Sequence, residues 1–337
     1  MKIALITEAW HPQVNGVVTT WTHVTRELTG RGHEFLVVHA GQFRTLPFPR
    51  YPDVRVALMP GRGVARMLDG FEPDAIHIAT EGPLGMAARR YCMRHKLPFT
   101  TSYHTHFPDY LNRYFGMPVS WTFPYFRKFH NAAAATLVPT PRVKTELDSR
   151  GFRHVVTWSR GVDAELFHPM ASIIDDLPRP IFVCSGRVCI EKNLPAFLNL
   201  DLPGSKLVVG PGPLLKTYRR KYPNVRFTGY LPPKVFAATV ASADVFVFPS
   251  VTDTFGLVML EAMACGVPVA AFPVTGPIDV VRHGVSGILN ADLREAALAA
   301  LTLRREDCRE YATHFTWRDC ADKLLATLKP RTPVVVT

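Results

Sequence analysis

The sequence predicts an α/β protein of two doubly wound domains that face each other across a cleft. Three observations carry this. Short Val- and Ile-rich runs alternate with helix-length amphipathic segments almost throughout. The runs are apolar on both faces, as strands of a helix-covered parallel sheet are. The alternation breaks once, around residues 165–180 (LFHPMASIIDDLPRP), where Pro and polar residues read as a linker. A chain of 337 residues has room for one ordinary core on each side of that break.

In the first half, strands are expected at KIALIT (2–7), EFLVVHA (34–40), VRVALM (54–59), AIHIA (75–79), FTTSYH (99–104), TLVP (136–139) and VVTWS (155–159). Helical sequence lies between them, as in PLGMAARRYCMRH (83–95) and PRVKTELDSRG (141–151), the latter closing on Gly151. After the break, strands are expected at IFVCSGR (181–187), KLVVG (206–210), VRFTGY (225–230), DVFVFPS (244–250) and VPVAAF (267–272). The tail from Leu293 reads as helical and ends in the amphipathic FTWRDCADKLLATL (315–328). The expected domains are 1–170 and 178–312, with a final helical segment at 313–330. No sequence repeat relates the halves. In such sheets ligands bind at the carboxyl ends of the strands, so the loops that follow the strands matter most.

Composition narrows the function classes. With 47% hydrophobic and 20% charged residues the chain is globular, and no apolar run approaches a bilayer span. MKIALIT leads straight into a strand without a signal-peptide core, so a cytoplasmic location is expected. The six cysteines (92, 184, 189, 265, 308 and 320) form no CxxC pair and are expected to be reduced, mostly buried thiols. Net charge is +11, with 20 Lys and Arg against 13 Asp and Glu in residues 1–172, and 19 against 15 in the rest. Such a surface attracts nucleic acid, anionic headgroups or a phosphorylated small molecule, and charge alone does not choose among them. No zinc-finger, helix-turn-helix or RNA-recognition signature accompanies it, which disfavours nucleic acid. The loop after the first strand, EAWHPQVNGVV, lacks the GxGxxG turn of a nicotinamide-dependent oxidoreductase.

The stretch TDTFGLVMLEAMACGVPVAAFPVTG (252–276) follows a strand. Asp253 falls in the loop, Thr254, Phe255 and Gly256 form the helix start, and helix-like sequence runs from Leu257 to Cys265 with Gly266 as its cap. Free N–H groups and the positive end of the helix dipole make such a start an anion site, and Gly256 allows close approach to the backbone. Read locally, Asp253 serves equally as an ordinary N-cap and Glu261 as a solvated helix position.

This stretch resembles the signature of family 4 retaining glycosyltransferases of the GT-B type: an acid, seven residues, Glu, then Ala-Met-Ala-x-Gly-x-Pro-Val. Glu261 with AMACGVPV matches, and Asp253 stands where the family has Glu. The resemblance implies two Rossmann-like domains, the N-terminal one binding the acceptor and the C-terminal one a nucleotide sugar. It implies that Asp253 contacts donor-sugar hydroxyls, that Glu261 holds the nucleotide ribose, and that the backbone from Thr254 through Phe255 and Gly256 to Leu257 approaches the diphosphate. The missing methylene at 253 shifts the reach of that acid and leaves the sugar open.

Other loops follow the family's order. SGRVCIEKN (185–193) resembles its GR…EK loop, which implies that Gly186, Arg187 and Lys192 hold the diphosphate. Two fixed cations there stabilise charge on the departing β-phosphate; read locally, the same residues are a surface Arg–Glu–Lys cluster. PQVNGVVTT (12–20) resembles the glycine loop, which approaches the donor phosphates or the acceptor and puts Gly16 among the donor-binding residues, although Asn-Gly alone is a turn. In SYHTHFPDY (102–110) the resemblance places His104 near the reacting carbon as a catalytic residue with Arg187, Lys192 and Asp253; a hydrogen-bonded structural His is the other reading. His106 suggests no metal, because no further ligand set is visible. SRGVDAELFHP (159–169) resembles the segment leading into the linker. VVGPGP (208–213) resembles the turn on which the base packs, through Gly210, and PVTGPIDVV (273–281) another junction closing the donor site.

SYHTHFPDY and TDTFGLVMLEAM look most like the branch of glycolipid synthases that includes sulfoquinovosyl-diacylglycerol synthases. That implies a UDP-hexose donor before GDP-mannose, a lipid acceptor such as diacylglycerol, and no cofactor. No Asp-x-Asp metal motif occurs, so the cations and helix dipole are expected to replace a divalent ion. Residues 110–130 (YLNRYFGMPVSWTFPYFRKFH) interleave aromatic and basic side chains. They suit an anionic bilayer at the inner membrane face and equally suit two helices packing into a core.

Overall fold

The computed structural model describes residues 1–48 and 51–331. Its contacts divide into two units, Met1–Ser159 together with the chain from Trp317, and Arg160–Thr316.

The first unit runs β1 (Lys2–Thr7), α1 (Gly16–Thr29), β2 (Glu34–His39), β3 (Thr45–Phe48), β4 (Tyr51–Ala57), α2 (Gly61–Phe71), β5 (Ala75–Ile78), α3 (Pro83–Arg94) and β6 (Thr100–Ser102). It continues through α4 (Phe107–Phe115), α5 (Val119–His130), β7 (Ala135–Val138), α6 (Pro141–Ser149) and β8 (Val155–Thr157). Six of these strands form a parallel sheet ordered β2-β1-β5-β6-β7-β8. Ala4, Ile6, Ile76 and Ile78 pack with Leu84, Ala88 and Phe129 from the covering helices.

The second unit runs β9 (Ile181–Ser185), α7 (Leu194–Leu198), β10 (Ser205–Val209), α8 (Leu215–Lys221), β11 (Val225–Gly229), α9 (Pro233–Ala241) and β12 (Val245–Phe248). Then come α10 (Leu257–Ala264), β13 (Val269–Ala271), α11 (Pro277–Val280), β14 (Gly287–Leu289), α12 (Leu293–Ala300) and α13 (Arg305–Thr313). Its parallel sheet is ordered β11-β10-β9-β12-β13-β14, with separate apolar clusters on its two faces. The last helix, α14 (Trp317–Thr327), belongs to the first unit. There Trp158 Nε1 donates to Cys320 O at 2.7 Å, and the ring of Trp317 stacks on that of His23. All six cysteines are buried free thiols.

One strand differs from the sequence expectation. VRVALM is not in the parallel sheet; its residues to Ala57 form β4, which pairs antiparallel with β3. The physical reason is one-sided burial. Arg55 is exposed and Ala57 buried, and beyond the strand Met59 is 96% exposed, which suits a hairpin and not a strand covered on both faces. β3 and the short β14 had no strong apolar run to announce them.

Candidate active site at the strand ends

In the second sheet the chain steps from β9 outward to β11, then returns to place β12 on the other side of β9. The loops after β9 and β12 therefore flank the switch point, where doubly wound sheets bind ligands. Arg187, Lys192 and Asp253 all lie on these two loops. Lys192 Nζ reaches across to Asp253 Oδ1 at 2.6 Å. The loops are also pinned together by Asn193 Nδ2, which donates to Pro249 O at 3.0 Å, and by Ser250 and Thr252, whose hydroxyls donate to Glu191 O. Glu191 is buried, so this is not a solvated surface cluster. A small, open pocket forms here, lined by Ser185, Gly186, Arg187, Lys192, Phe248 and Ser250 among others.

The charges at this pocket are firmly set. Burial works to lower the Lys192 pKa, but the Asp253 carboxylate outweighs it and holds the ammonium above its ordinary value. Beneath it, burial pushes the Cys184 thiol up to about 12, so the floor is neutral. Asp253 Oδ2 is buried without a hydrogen-bond partner among the described residues, and so is Ser185 Oγ. An unpaired buried acceptor costs about 1–3 kcal/mol, a cost that a donor hydroxyl would remove.

The glycines hold the loops at contact distance. A Cβ on Gly210 (φ +136) would lie 2.0 Å from Gly186 O, and one on Gly276 (φ +93) would lie 2.6 Å from Asp253 O. Gly210 thus lets the turn after β10 rest on the Gly186 loop, and Gly276 lets the 273–277 junction rest behind Asp253. Gly256 (φ +88) is the N-cap of α10 and offers no side chain to its first N–H groups. Thr254 and Phe255 are buried, the latter in the core. Leu257 opens α10. Glu261 lies further along it, half-buried and with no hydrogen-bond or ion-pair partner among the described residues, and desolvation raises its pKa to about 7.

Gly16 and His104 belong to the first unit. Gly16 is the first residue of α1, and the Asn15 side chain caps that helix by accepting from Val17 N and Val18 N. His104 follows β6, and its Nε2 accepts from Trp21 Nε1 at 3.0 Å. His106 is buried, with Tyr103 and the carboxylates of Asp109 and Glu146 around it.

Residues 14–166 match the family described as Glycosyltransferase Family 4, and residues 179–305 match Glycosyl transferases group 1. A GDP-mannose-dependent alpha-mannosyltransferase of Corynebacterium glutamicum is 30% identical over 92% of this chain and 82% of its own length. The chain is a family 4 glycosyltransferase. Another relative of this glycosyltransferase, the sulfoquinovosyl transferase SQD2 of Arabidopsis thaliana, is 28% identical over 96% of this chain and 72% of its own. Its GT-B fold is shared with sucrose-phosphate synthase from Thermosynechococcus elongatus, at a TM-score of 0.77 and 19% identity over 96% of this chain and 97% of that one.

Sequence reasoning missed several polar residues of the glycosyltransferase. Ser185 ends β9 and carried no motif of its own. Glu8 follows β1 directly, accepts from Leu84 N at 2.7 Å and bonds Thr80 Oγ1. Glu81 pairs with His130 at 3.1 Å, and His130 Nδ1 meets Thr101 Oγ1 at 2.9 Å. The position of Glu8 at a strand end was the available signal.

Proposed function

We propose that this glycosyltransferase moves a hexose from a nucleotide-diphosphate sugar to a lipid hydroxyl, with retention of anomeric configuration and without a divalent ion at the diphosphate. The observation that carries the reading is the Lys192–Asp253 pair at the switch point, with Asp253 Oδ2 buried and unpaired beside it. Lys192 and Arg187 supply positive charge for the diphosphate, which gains negative charge as the glycosidic bond breaks. Asp253 Oδ2 accepts one donor-sugar hydroxyl, Glu261 accepts from the ribose, and the N–H groups at the start of α10 meet the phosphate. The departing phosphate takes the acceptor's proton on the face it leaves.

GDP-mannose is the leading donor, on the likeness to the C. glutamicum protein across 92% of this chain. A UDP-hexose is the second reading, supported by the resemblance to glycolipid synthases and by the likeness to SQD2. A thermal-shift screen of GDP-mannose against UDP-hexoses, followed by turnover of the best binder on lipid extracts, decides between them. Stabilisation by neither would overturn the donor assignment. Activity is expected to survive EDTA, and product NMR to show the donor's anomeric configuration.

The lipid acceptor is supported by the surface of α4 and α5. Phe123, Phe126 and Phe129 are buried, whereas Trp121 is 75% exposed and Phe115, Met117 and Tyr125 are also exposed, as are Arg113, Arg127 and Lys128 of the same two helices. The aromatic segment thus divides between core and surface. The outward set suits an anionic bilayer face. Among the described residues no helix is long and apolar enough to cross a membrane.

A further inference from the structure

β9 is apolar except at its end. Ile181, Phe182, Val183 and Cys184 are buried in the apolar clusters of the second unit, Ile181 and Val183 in one and Phe182 and Cys184 in the other. Side chains alternate along a strand, so Ser185 continues the face of Ile181 and Val183. It is 7% exposed and stands in register with Val209 of β10, and its Oγ has no hydrogen-bond partner among the described residues. An apolar side chain would complete this face, whereas the unpaired hydroxyl is a cost to the fold.

Ser185 also lines the small pocket at the switch point, with Gly186, Lys192 and Ser250. A Cβ built on Gly186 would meet nothing beyond its chain neighbours closer than Lys192 Cε, at 4.0 Å, so the strand end is open toward the lysine stem. The hydroxyl of Ser250 donates to Glu191 O, which leaves Ser185 Oγ as the spare hydroxyl of the pocket lining.

The two unpaired oxygens of this site, Asp253 Oδ2 and Ser185 Oγ, differ in chemistry. A carboxylate only accepts, while a hydroxyl also donates. A sugar hydroxyl therefore suits Asp253. A phosphate oxygen, which only accepts, suits Ser185, and the Lys192 ammonium supplies positive charge for it. Rotation about χ1 moves no heavy atom of a serine but Oγ, so the hydroxyl can turn to a ligand without moving the strand. Resting on the reading of this pocket as the diphosphate site, we propose that Ser185 is a further residue binding the sugar donor, its hydroxyl donating to an oxygen of the diphosphate beside Lys192.

Calorimetric titration with UDP and UDP-glucose, and with GDP and GDP-mannose, tests this. With the pair that wild type binds, Ser185→Ala is expected to weaken the nucleoside diphosphate and its sugar nucleotide alike, by about 10-fold. The ligand-free variant is expected to melt at or above the wild-type Tm, because it loses an unpaired hydroxyl and no hydrogen bond. Ser185→Cys, close to serine in size but a weak donor, is expected to weaken binding in the same way. Unchanged affinity in both variants overturns the proposal. So does a loss confined to the sugar nucleotide, which would put the hydroxyl on the sugar. A lowered ligand-free Tm at unchanged affinity would make Ser185 a packing residue instead. Lys192→Met separates Ser185 from the pocket. If Lys192→Met weakens binding and Ser185→Ala does not, the Ser185 assignment alone falls; if neither does, the diphosphate reading falls with it. Wild type that binds none of the four would overturn both together.

Discussion

At the switch point of the first sheet, both carboxylate oxygens of Glu8 are bonded, Oε1 by Leu84 N and Oε2 by Thr80, while Glu81 is matched by His130. At that of the second, Asp253 shares one oxygen with Lys192 and leaves the other buried and unpaired among the described residues, as is Ser185 Oγ, and Glu261 is half-buried with no ion-pair partner among them. Both sheets have their switch point beside their first strand, between β1 and β5 in one and between β9 and β12 in the other, although one strand lies outward of β1 and two lie outward of β9. What differs is whether folding alone completes the hydrogen bonds. Glu8 closes the N-terminal turn of α3 and serves the scaffold. The second set keeps a cost that the fold does not recover, and a ligand with hydroxyls and phosphates would recover it.

The sharpest way to break this comparison is at Lys192. Lys192→Met is expected to lower kcat/KM by about 10²–10³-fold, the range seen when one fixed transition-state charge partner is removed. It also strands the Asp253 carboxylate, lowering stability by about 3 kcal/mol. Adding Asp253→Asn should return most of the stability, read by urea denaturation, and none of the activity. If the double variant regained turnover, the pair would be structural and the distinction between the two switch points would fall.

Gly210 tests how the second switch point is built. Ala at this position would need a left-handed backbone and would bring its Cβ to 2.0 Å from Gly186 O. Gly210→Ala is therefore expected to cost about 2–3 kcal/mol of stability, with a lowered Tm even when no nucleotide is present. A loss of nucleotide affinity at unchanged Tm would instead make the glycine a ligand contact.

The same glycine shows how far the sequence could be read. VVGPGP announced a turn after a strand, and the alternation of runs announced eleven of the twelve strands in the two parallel sheets, short β14 excepted. That Gly210 meets the Gly186 loop is a contact between chain segments 24 residues apart, and no local pattern encodes it. Motif order located Lys192 and Asp253, but their 2.6 Å pairing depends on β9 and β12 being neighbours in the sheet. The hairpin strand β4 was misread because a Val-rich run has the same composition whether one face is covered or two. Trp21 stayed invisible and Glu8 showed only its strand-end position, because their partners lie 83 and 76 residues away.

Glu261 carries a pH dependence that Glu8, with its bonded oxygens, should not share on the ligand side. Burial raises the Glu261 pKa to about 7 from an ordinary 4.5. Between those values the folded chain holds a proton that the unfolded chain has released. Its contribution to stability is thus complete below about pH 4.5 and is lost as pH rises through 7. Glu261→Gln removes the burden, so the ligand-free variant is expected to be about 1–3 kcal/mol more stable than wild type at pH 8 and little different at pH 5. Ribose hydroxyls donate to the ionised form, so wild-type nucleotide affinity should rise with pH through about 7, whereas the variant should bind about 10-fold more weakly at pH 8 and show no such rise. Calorimetric titration at the two pH values reads both; a flat wild-type profile would remove Glu261 from the nucleotide site.

The smallest effect on the fold is expected at the surface of α5, where the comparison is between two sides of one helix. Phe126 is buried against Phe107 and the core, while Trp121 stands 75% exposed. Trp121→Ala should change stability by less than about 0.5 kcal/mol, because the side chain gives up little buried area. Phe126→Ala should cost about 3 kcal/mol through its cavity. On anionic vesicles the order reverses. An exposed indole on a segment that also carries the exposed Arg113, Arg127 and Lys128 contributes apolar area at the headgroup level, so Trp121→Ala should reduce vesicle co-sedimentation at low salt several-fold while leaving turnover on a short-chain, water-soluble acceptor intact. Wild-type protein that fails to sediment with anionic vesicles at low salt would mean that this exposed face has no part in reaching a lipid acceptor.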